Sequence, residues 1–291
     1  MTRPRSIAAL PTALVLVAAL VVAAGCGGDS DDSGDSEASA NLEDCTLDQI
    51  ETLKQGTLTV ATDDPAFPPY FEDNDPTNGR GFESAVAYAI ADELGFEAAD
   101  VDWVVEPFNS SYAPGPKDFD FDVNQISITP KRAEQVDFSS SYYTANQALV
   151  AAKDSAAADA TSLDDLSDAT IGVQIGTTSL DAVEAEIDPS EEPQVFNDSN
   201  DVVTALKQGQ VDAVVIDLPT ALYLTAVQVP DGEIVGQFEA PGGDEWGALL
   251  EKGSPLTGCV SAAIDELSAS GELAKIESKW MSEAAGAPQL D

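Results

Sequence analysis

Apolar and polar positions along this chain follow two rhythms that take turns. Residues 57–62 (TLTVAT) are a short β-branched run that predicts a strand, and it ends in a proline-rich turn over residues 63–70. Residues 81–94 place Phe82, Ala85, Val86, Ala89, Ile90 and Leu94 at helical spacing, with Gly95 as the stop. Further strands are predicted over residues 101–105, 121–128 and 147–152. After a polar, alanine-rich connection a second series begins: strand 170–174, helix 178–187, short strand 195–196, helix 200–208, strand 211–216 and helix 218–227. Residues 247–250 read as a late strand, and residues 256–268 and 272–280 as two closing helices. Residues 107–117 carry three prolines and a glycine and read as a loop. The alternation predicts an α/β fold, and two similar series without a fixed-period repeat predict two lobes.

The first residues follow a different rule. Arg3 and Arg5 precede an apolar run over residues 7–24, broken only by Pro11 and Thr12, and then come Ala23, Ala24, Gly25 and Cys26. A basic stretch, a short apolar stretch and small residues describe a secretory signal. The alternative is an uncleaved membrane-spanning helix, since the run is just long enough. Both put the remainder outside the cytoplasm. Cys26 directly after small residues resembles the lipobox of bacterial lipoproteins, which implies lipidation at Cys26 and anchoring to the outer face of the cell membrane. Residues 27–40 hold no large apolar side chain and read as a flexible acidic tether.

Composition narrows the function. The 291 residues are 43% apolar, enough for one or two buried domains. Against 53 Asp+Glu stand 12 Lys+Arg and no His. Cleavage before Cys26 leaves 10 Lys+Arg and a net charge of −43, a strongly solvated surface hostile to nucleic acid. Without His there is no Ser-His or Cys-His triad, and two spaced thiols argue against a zinc site. In an oxidising compartment the remaining cysteines, Cys45 and Cys259, are expected to bond each other. Closing so long a loop stabilises by about 5 kcal/mol at most. The bond would return the closing helices to the first lobe, so the chain would cross between lobes twice, near residues 147–150 and 244–248. Two crossings make a hinge, and a cleft between hinged lobes suits capture by closure. The expected organisation is therefore a signal over residues 1–25, the lipidated Cys and linker over 26–44, a first lobe from 45–147 plus 244–291, and a second from 148–243.

The most specific stretch is Gln125-Ile126-Ser127-Ile128-Thr129-Pro130-Lys131-Arg132, continuing to Val136-Asp137-Phe138-Ser139 and Tyr142-Tyr143. It resembles the signature of family 3 periplasmic solute-binding proteins, the polar-amino-acid receptors of ABC importers. Thr62-Asp63 with Phe67-Pro68-Pro69, the helix to Leu94, Val173 to Ser179, Ala205 to Asp217 and Lys279-Trp280 fit the same family in order. The resemblance spans nearly all of residues 46–280. It implies a two-lobe periplasmic-binding-protein-like fold, a free amino acid as ligand, ABC membrane subunits as partners, no cofactor, no metal and a monomer.

The chemistry agrees with that. An α-carboxylate calls for the planar donor fork of Arg132, with Ser127 on the strand leading to it and Thr178 opening a helix from the opposite lobe. An ammonium calls for a carboxylate, and Asp217 ends a predicted strand, where the cleft of an α/β sheet lies. Roughly three or four charge-assisted bonds of order 1.5–3 kcal/mol account for micromolar binding. Phe67 and Tyr70 are candidates to stack on the ligand's stem, and Asp63 and Gln125 to meet its side chain. Each has a plainer reading: Arg132 as a structural ion-pair partner, Asp217 or Thr178 as a helix cap, Phe67 as core, and Asp63 replaced by Asp64. The chain departs from the family at Asn124-Gln125, where small residues are usual, and in the loop over 107–117 that replaces a helix. With so few cations an acidic ligand is disfavoured, so a glutamine-like or basic amino acid is expected. The alternatives are a sensing module for a separate signalling partner and a dehydratase of cyclic amino-acid precursors.

Overall fold

Strand β1 (Leu58–Thr62) has all five residues buried, as a strand must when helices cover both faces of its sheet. The computed structural model describes residues 40–281 and 287–290; the predicted signal, Cys26 and most of the linker lie outside the described residues. Among the described residues no helix is long and apolar enough to cross a membrane.

In the first sheet, β1 pairs in parallel with β2 (Val101–Val105) and with the two-residue β3 (Phe121–Asp122). β4 (Val136–Thr144) forms the far edge, and β10 (Glu245–Glu251) runs antiparallel between β3 and β4, giving the order β2-β1-β3-β10-β4. The second sheet repeats this plan. β6 (Ile171–Gln174) pairs in parallel with β7 (Gln194–Phe196) and β8 (Ala213–Asp217), and β5 (Gln147–Ala152) runs antiparallel between β8 and β9 (Gly232–Phe238), in the order β7-β6-β8-β5-β9. Each sheet thus receives one antiparallel strand from a chain segment that has just left the other. The crossings are residues 145–146, between β4 and β5, and residues 239–244, between β9 and β10. They are tied together by Ala145 N–H donating to the Asp244 carbonyl at 2.9 Å.

Helix α1 (Phe82–Glu93) buries Phe82, Val86 and Ile90 against the first sheet, together with α7 (Thr257–Ala269) and α8 (Glu272–Trp280). It starts at Gly81, whose φ of +102 and close approach to the Tyr70 carbonyl, which an added Cβ would strike, exclude any side chain. Cys45 and Cys259 form a disulfide with a Cα–Cα distance of 5.6 Å, tying the segment before β1 to α7. The second sheet is covered by α4 (Thr178–Ala182), α5 (Ser199–Lys207) and α6 (Leu218–Tyr223). Two short helices sit on the first lobe's side of the cleft: α2 (Phe108–Ser111) and α3 (Pro130–Ala133).

The structure departs from the sequence expectations in several places. The strand expected over 121–128 stops at Asp122, because the chain turns at Gln125, whose φ is +50. The expected loop 107–117 contains α2, a helical turn started by Pro107 and held by Asp63 Oδ2, which accepts from Phe108 N–H at 3.2 Å. Helices α4 and α6 are shorter than predicted and run on as π-turns, Val183–Ile187 and Leu224–Gln228. Strands β4 and β9 were not anticipated. Residues 287–290, expected with the first lobe, lie against β9: Gln237 N–H donates to the Pro288 carbonyl, Leu290 N–H donates to the Gln237 carbonyl, and Leu290 is buried among second-sheet residues.

Candidate functional site

The carboxyl ends of β1, β3, β6 and β8 converge on one cavity of about 380 Å³, lined from both lobes. All the sequence-predicted ligand residues (Asp63, Phe67, Tyr70, Gln125, Ser127, Arg132, Thr178 and Asp217) lie on its wall.

Arg132 sits on the single turn of α3, which Pro130 starts and the Thr129 hydroxyl caps by accepting from Arg132 N–H at 3.2 Å. The side chain is buried, stacked against Phe108 (5.4 Å from cation to ring centre) and Tyr112 (4.8 Å). One terminal nitrogen donates to the Ser127 carbonyl at 2.8 Å, and the other crosses the cleft to the Gly176 carbonyl at 2.9 Å. Among the described residues no carboxylate stands within ion-pair distance of it, so the structural ion-pair reading lacks a partner. Burial lowers its pKa, and the nearby Tyr112 and acidic groups oppose that shift. A guanidinium has five N–H donors, and two are committed to carbonyls, so donors remain for an anion.

Asp217 ends β8 at the position before α6, yet its side chain makes no capping bond. Its Oδ1 instead accepts from Gln147 Nε2 at 2.7 Å. The same nitrogen donates to Asp244 Oδ2 at 2.7 Å, so one amide bridges two carboxylates. Burial pushes Asp217 well above the usual carboxylate range, and the neighbouring charge of Asp244 adds to it. Asp244 is raised as well, first by burial. Its Oδ2 also accepts from the Thr178 hydroxyl at 3.0 Å, while its Oδ1 is buried without a partner among the described residues.

Thr178 is not the cap of α4. That role belongs to Thr177, whose hydroxyl oxygen accepts from Leu180 N–H at 3.2 Å. The Thr178 hydroxyl is thereby free to face Asp244 and to approach the Ser127 hydroxyl, 3.3 Å away on the other lobe. Tyr70 is buried edge-on against Trp246, and its hydroxyl meets the Thr220 hydroxyl across the cleft at 2.7 Å. Phe67 faces Tyr223 of the second lobe with ring centres 6.3 Å apart. Asp63 holds backbone N–H groups of Asp64 (2.7 Å) and Phe108 (3.2 Å), and burial raises its pKa. Gln125 lines the cavity, but its amide nitrogen turns inward to Glu83. Behind the wall, Asp122 is buried with neither oxygen hydrogen-bonded among the described residues, and burial, followed by the nearby Glu83, drives its pKa well up.

Sequence reasoning missed Gln147, Asp244, Tyr112, Gly176 and Thr220. Asp244 and Gln147 lie at the two crossings, and nothing local in Gly242-Gly243-Asp244 signals a buried acid. Gly176 was inside a recognised motif. Its φ of +74, and the Tyr112 hydroxyl 2.5 Å from where a Cβ would sit, explain why it carries none. Among the described residues no cluster of three or more potential metal ligands is present.

Residues 58–283 match the profile of bacterial extracellular solute-binding proteins, family 3. The arginine-binding extracellular protein ArtP of Bacillus subtilis (strain 168) is 33% identical over 72% of this chain and 81% of its own length. The ABC transporter glutamine-binding protein GlnH of the same strain is 27% identical over 93% of this chain and 96% of its own. Among solved structures, an ancestral arginine-binding protein bound to glutamine superposes with a TM-score of 0.65 at 33% identity, covering 78% of this chain and 98% of that one.

Proposed function

The chain belongs to the bacterial extracellular solute-binding proteins of family 3, and on that premise we propose that its cleft captures a free basic or glutamine-like amino acid for an ABC importer. One observation carries this reading. Among the described residues, a buried guanidinium without a carboxylate partner (Arg132) and a half-buried carboxylate without a cationic partner (Asp217) line the same cavity from opposite lobes. Leaving either charge unpaired is unfavourable, and an α-amino acid supplies both complements at once: its carboxylate to Arg132 and its ammonium to Asp217. Ser127 and Thr178 add hydroxyls where the lobes meet, and Phe67 and Tyr70 supply apolar walls.

The rest of the lining favours a donor-bearing ligand side chain. Asp63, Asp64 and Asp198 line the cavity along with Asn109, while Arg132 is the cation among its lining residues. An acidic side chain would meet carboxylates with no second cation to balance it. The names of ArtP and GlnH agree with a basic or amide ligand. Lipid attachment at Cys26 would hold the receptor beside the membrane subunits, and Cys26→Ser would then release the protein from the membrane fraction.

The test is a thermal-shift screen of the purified chain against the twenty amino acids, with Arg132→Ala as control. A ligand that binds only the native state raises the melting temperature. A rise with arginine, lysine or glutamine that disappears in Arg132→Ala supports the reading, and tighter binding of glutamate than of glutamine or arginine sinks the ligand assignment.

A further inference from the structure

Glu83 of α1 is fully buried behind the cleft wall and accepts three hydrogen bonds. They come from the Gln125 backbone N–H (2.7 Å), the Tyr142 hydroxyl (2.5 Å) and the Gln125 side-chain nitrogen Nε2. An ionised carboxylate only accepts, so the Gln125 amide must turn its NH₂ inward. Its carbonyl Oε1 then points away from Glu83, has no donor among the described residues, and belongs to a side chain that lines the cavity. The Gln125 backbone is held at φ +50, a region that a residue with a Cβ keeps only where its surroundings over-determine it. The two bonds to Glu83 provide that hold. Tyr70, on the same wall, reaches Thr220, three residues beyond Asp217, and the Glu83 charge is near enough to act on both Tyr70 and Asp217. Gln125 and Asp217 line the same cavity.

We propose that Gln125 contacts the ligand through its side-chain carbonyl, which accepts a hydrogen bond from the ligand's ammonium beside Asp217, and that Glu83 is the positioning residue that fixes the amide in this sense. The inference rests on the reading of the cleft as an amino-acid site. It also accounts for a large amide at a position where the turn itself favours glycine.

The arrangement has a pH signature. The groups around Glu83 are Tyr142 from β4, Asp122 from β3, Tyr70 from the turn before α1, and Asp217 across the cleft. Burial pushes Glu83 up to about 7, against the bonds from Tyr142 and Gln125. Above that value the carboxylate only accepts and the amide is fixed. Below it the carboxylic acid also donates, and the amide is free to turn its NH₂ toward the cleft.

The test measures calorimetric affinities of the purified chain for arginine and 5-guanidinopentanoate, and for glutamine and 4-carbamoylbutanoate. Each pair differs only in the α-ammonium, so the ratio within a pair reports ammonium recognition and is insensitive to a general loosening of the fold. At pH 8, Glu83→Gln and Gln125→Gly each lower the ratio roughly tenfold. The double variant lowers it no further than Gln125→Gly alone, because the two residues act through one bond. Glycine adopts φ +50 without strain, so Gln125→Gly retains the turn. Should Glu83→Gln fail to fold, the pH profile carries the test. From pH 8 to pH 6 the wild-type ratio falls more steeply than that of Gln125→Gly, in which Asp217 and Asp244 still titrate. Ratios unchanged in Gln125→Gly, simple additivity, or parallel pH profiles overturn the proposal. Failure of the wild type to bind either amino acid overturns the amino-acid reading and this proposal with it, whereas binding with unaltered ratios overturns this proposal alone.

Discussion

The Arg132 guanidinium of the first lobe donates to the Gly176 carbonyl of the second at 2.9 Å, so the residue proposed to hold the ligand's carboxylate also joins the two lobes. Ligand contact and lobe contact thus share one side chain. Arg132→Ala is expected to weaken amino-acid binding at least a hundredfold, consistent with losing charge-assisted bonds of about 1.5–3 kcal/mol each. Arg132→Lys restores the charge but not the fork, and calorimetry should find it much closer to the alanine variant than to wild type.

The other end of that bond is testable through sterics. Gly176 has φ +74, and a Cβ there would lie 2.5 Å from the Tyr112 hydroxyl. Gly176→Ala should reduce affinity by pushing Tyr112 and Arg132 out of place, as well as by backbone strain of about 1–2 kcal/mol. Tyr112→Phe removes the clashing oxygen, since the next ring atom is 3.7 Å away. The double variant should therefore bind better than Gly176→Ala alone. Equal affinities would show that strain, and not the clash, dominates.

Protonation of Asp217 should couple to binding. Burial and Asp244 hold its pKa above the ordinary carboxylate value, and an incoming ammonium favours the ionised form. Affinity should therefore rise with pH, and binding should release protons. Calorimetry in buffers of different ionisation enthalpy reads that release directly. Asp244→Asn should reduce it, because the charge that adds most to burial in raising the pKa is gone.

Stability of the ligand-free protein should move in the opposite sense. Burial raises Glu83 to about 7 from its ordinary 4.5, so the native state binds the extra proton between those values. That stability is present below about pH 4.5 and is lost as pH rises through 7. The loss amounts to on the order of 3 kcal/mol. Urea denaturation at pH 5 and pH 8 should show this drop in wild type and a smaller one in Glu83→Gln. An equal drop in both would assign the pH dependence to Asp122 or the Asp217–Asp244 pair instead.

The disulfide closes a loop with a sequence separation of 214 residues. In the chain-entropy account, replacing Cys45 and Cys259 by serine costs about 5 kcal/mol at most. Hydrogen exchange should show the loosening mainly around α1, α7 and α8, whose side chains share a core cluster with both cysteines. Uniform loosening of both sheets would contradict a local role.

Much of this protein is set by its sequence alone. The buried runs of β1, β5, β6 and β8 and the helical spacing of α1, α5, α7 and α8 are local patterns, because burial on a strand or a helix face imposes its own period. The ordered motif from Gln125 to Arg132, with Asp217 at a strand end, identified residues that do line one cavity. Other features depend on what the chain packs against. Strand β4 is rich in serine and tyrosine and takes its strand form from pairing with β10. Strand β9 contains two glycines and owes its form to β5. The inward turn of the Gln125 amide depends on Glu83, 42 residues away. The bridge from Gln147 to Asp217 and Asp244 spans 70 and 97 residues. Such partners leave no mark on local periodicity: burial and charge pairing at the crossings are properties of the folded surfaces, and only the tertiary structure brings those surfaces together.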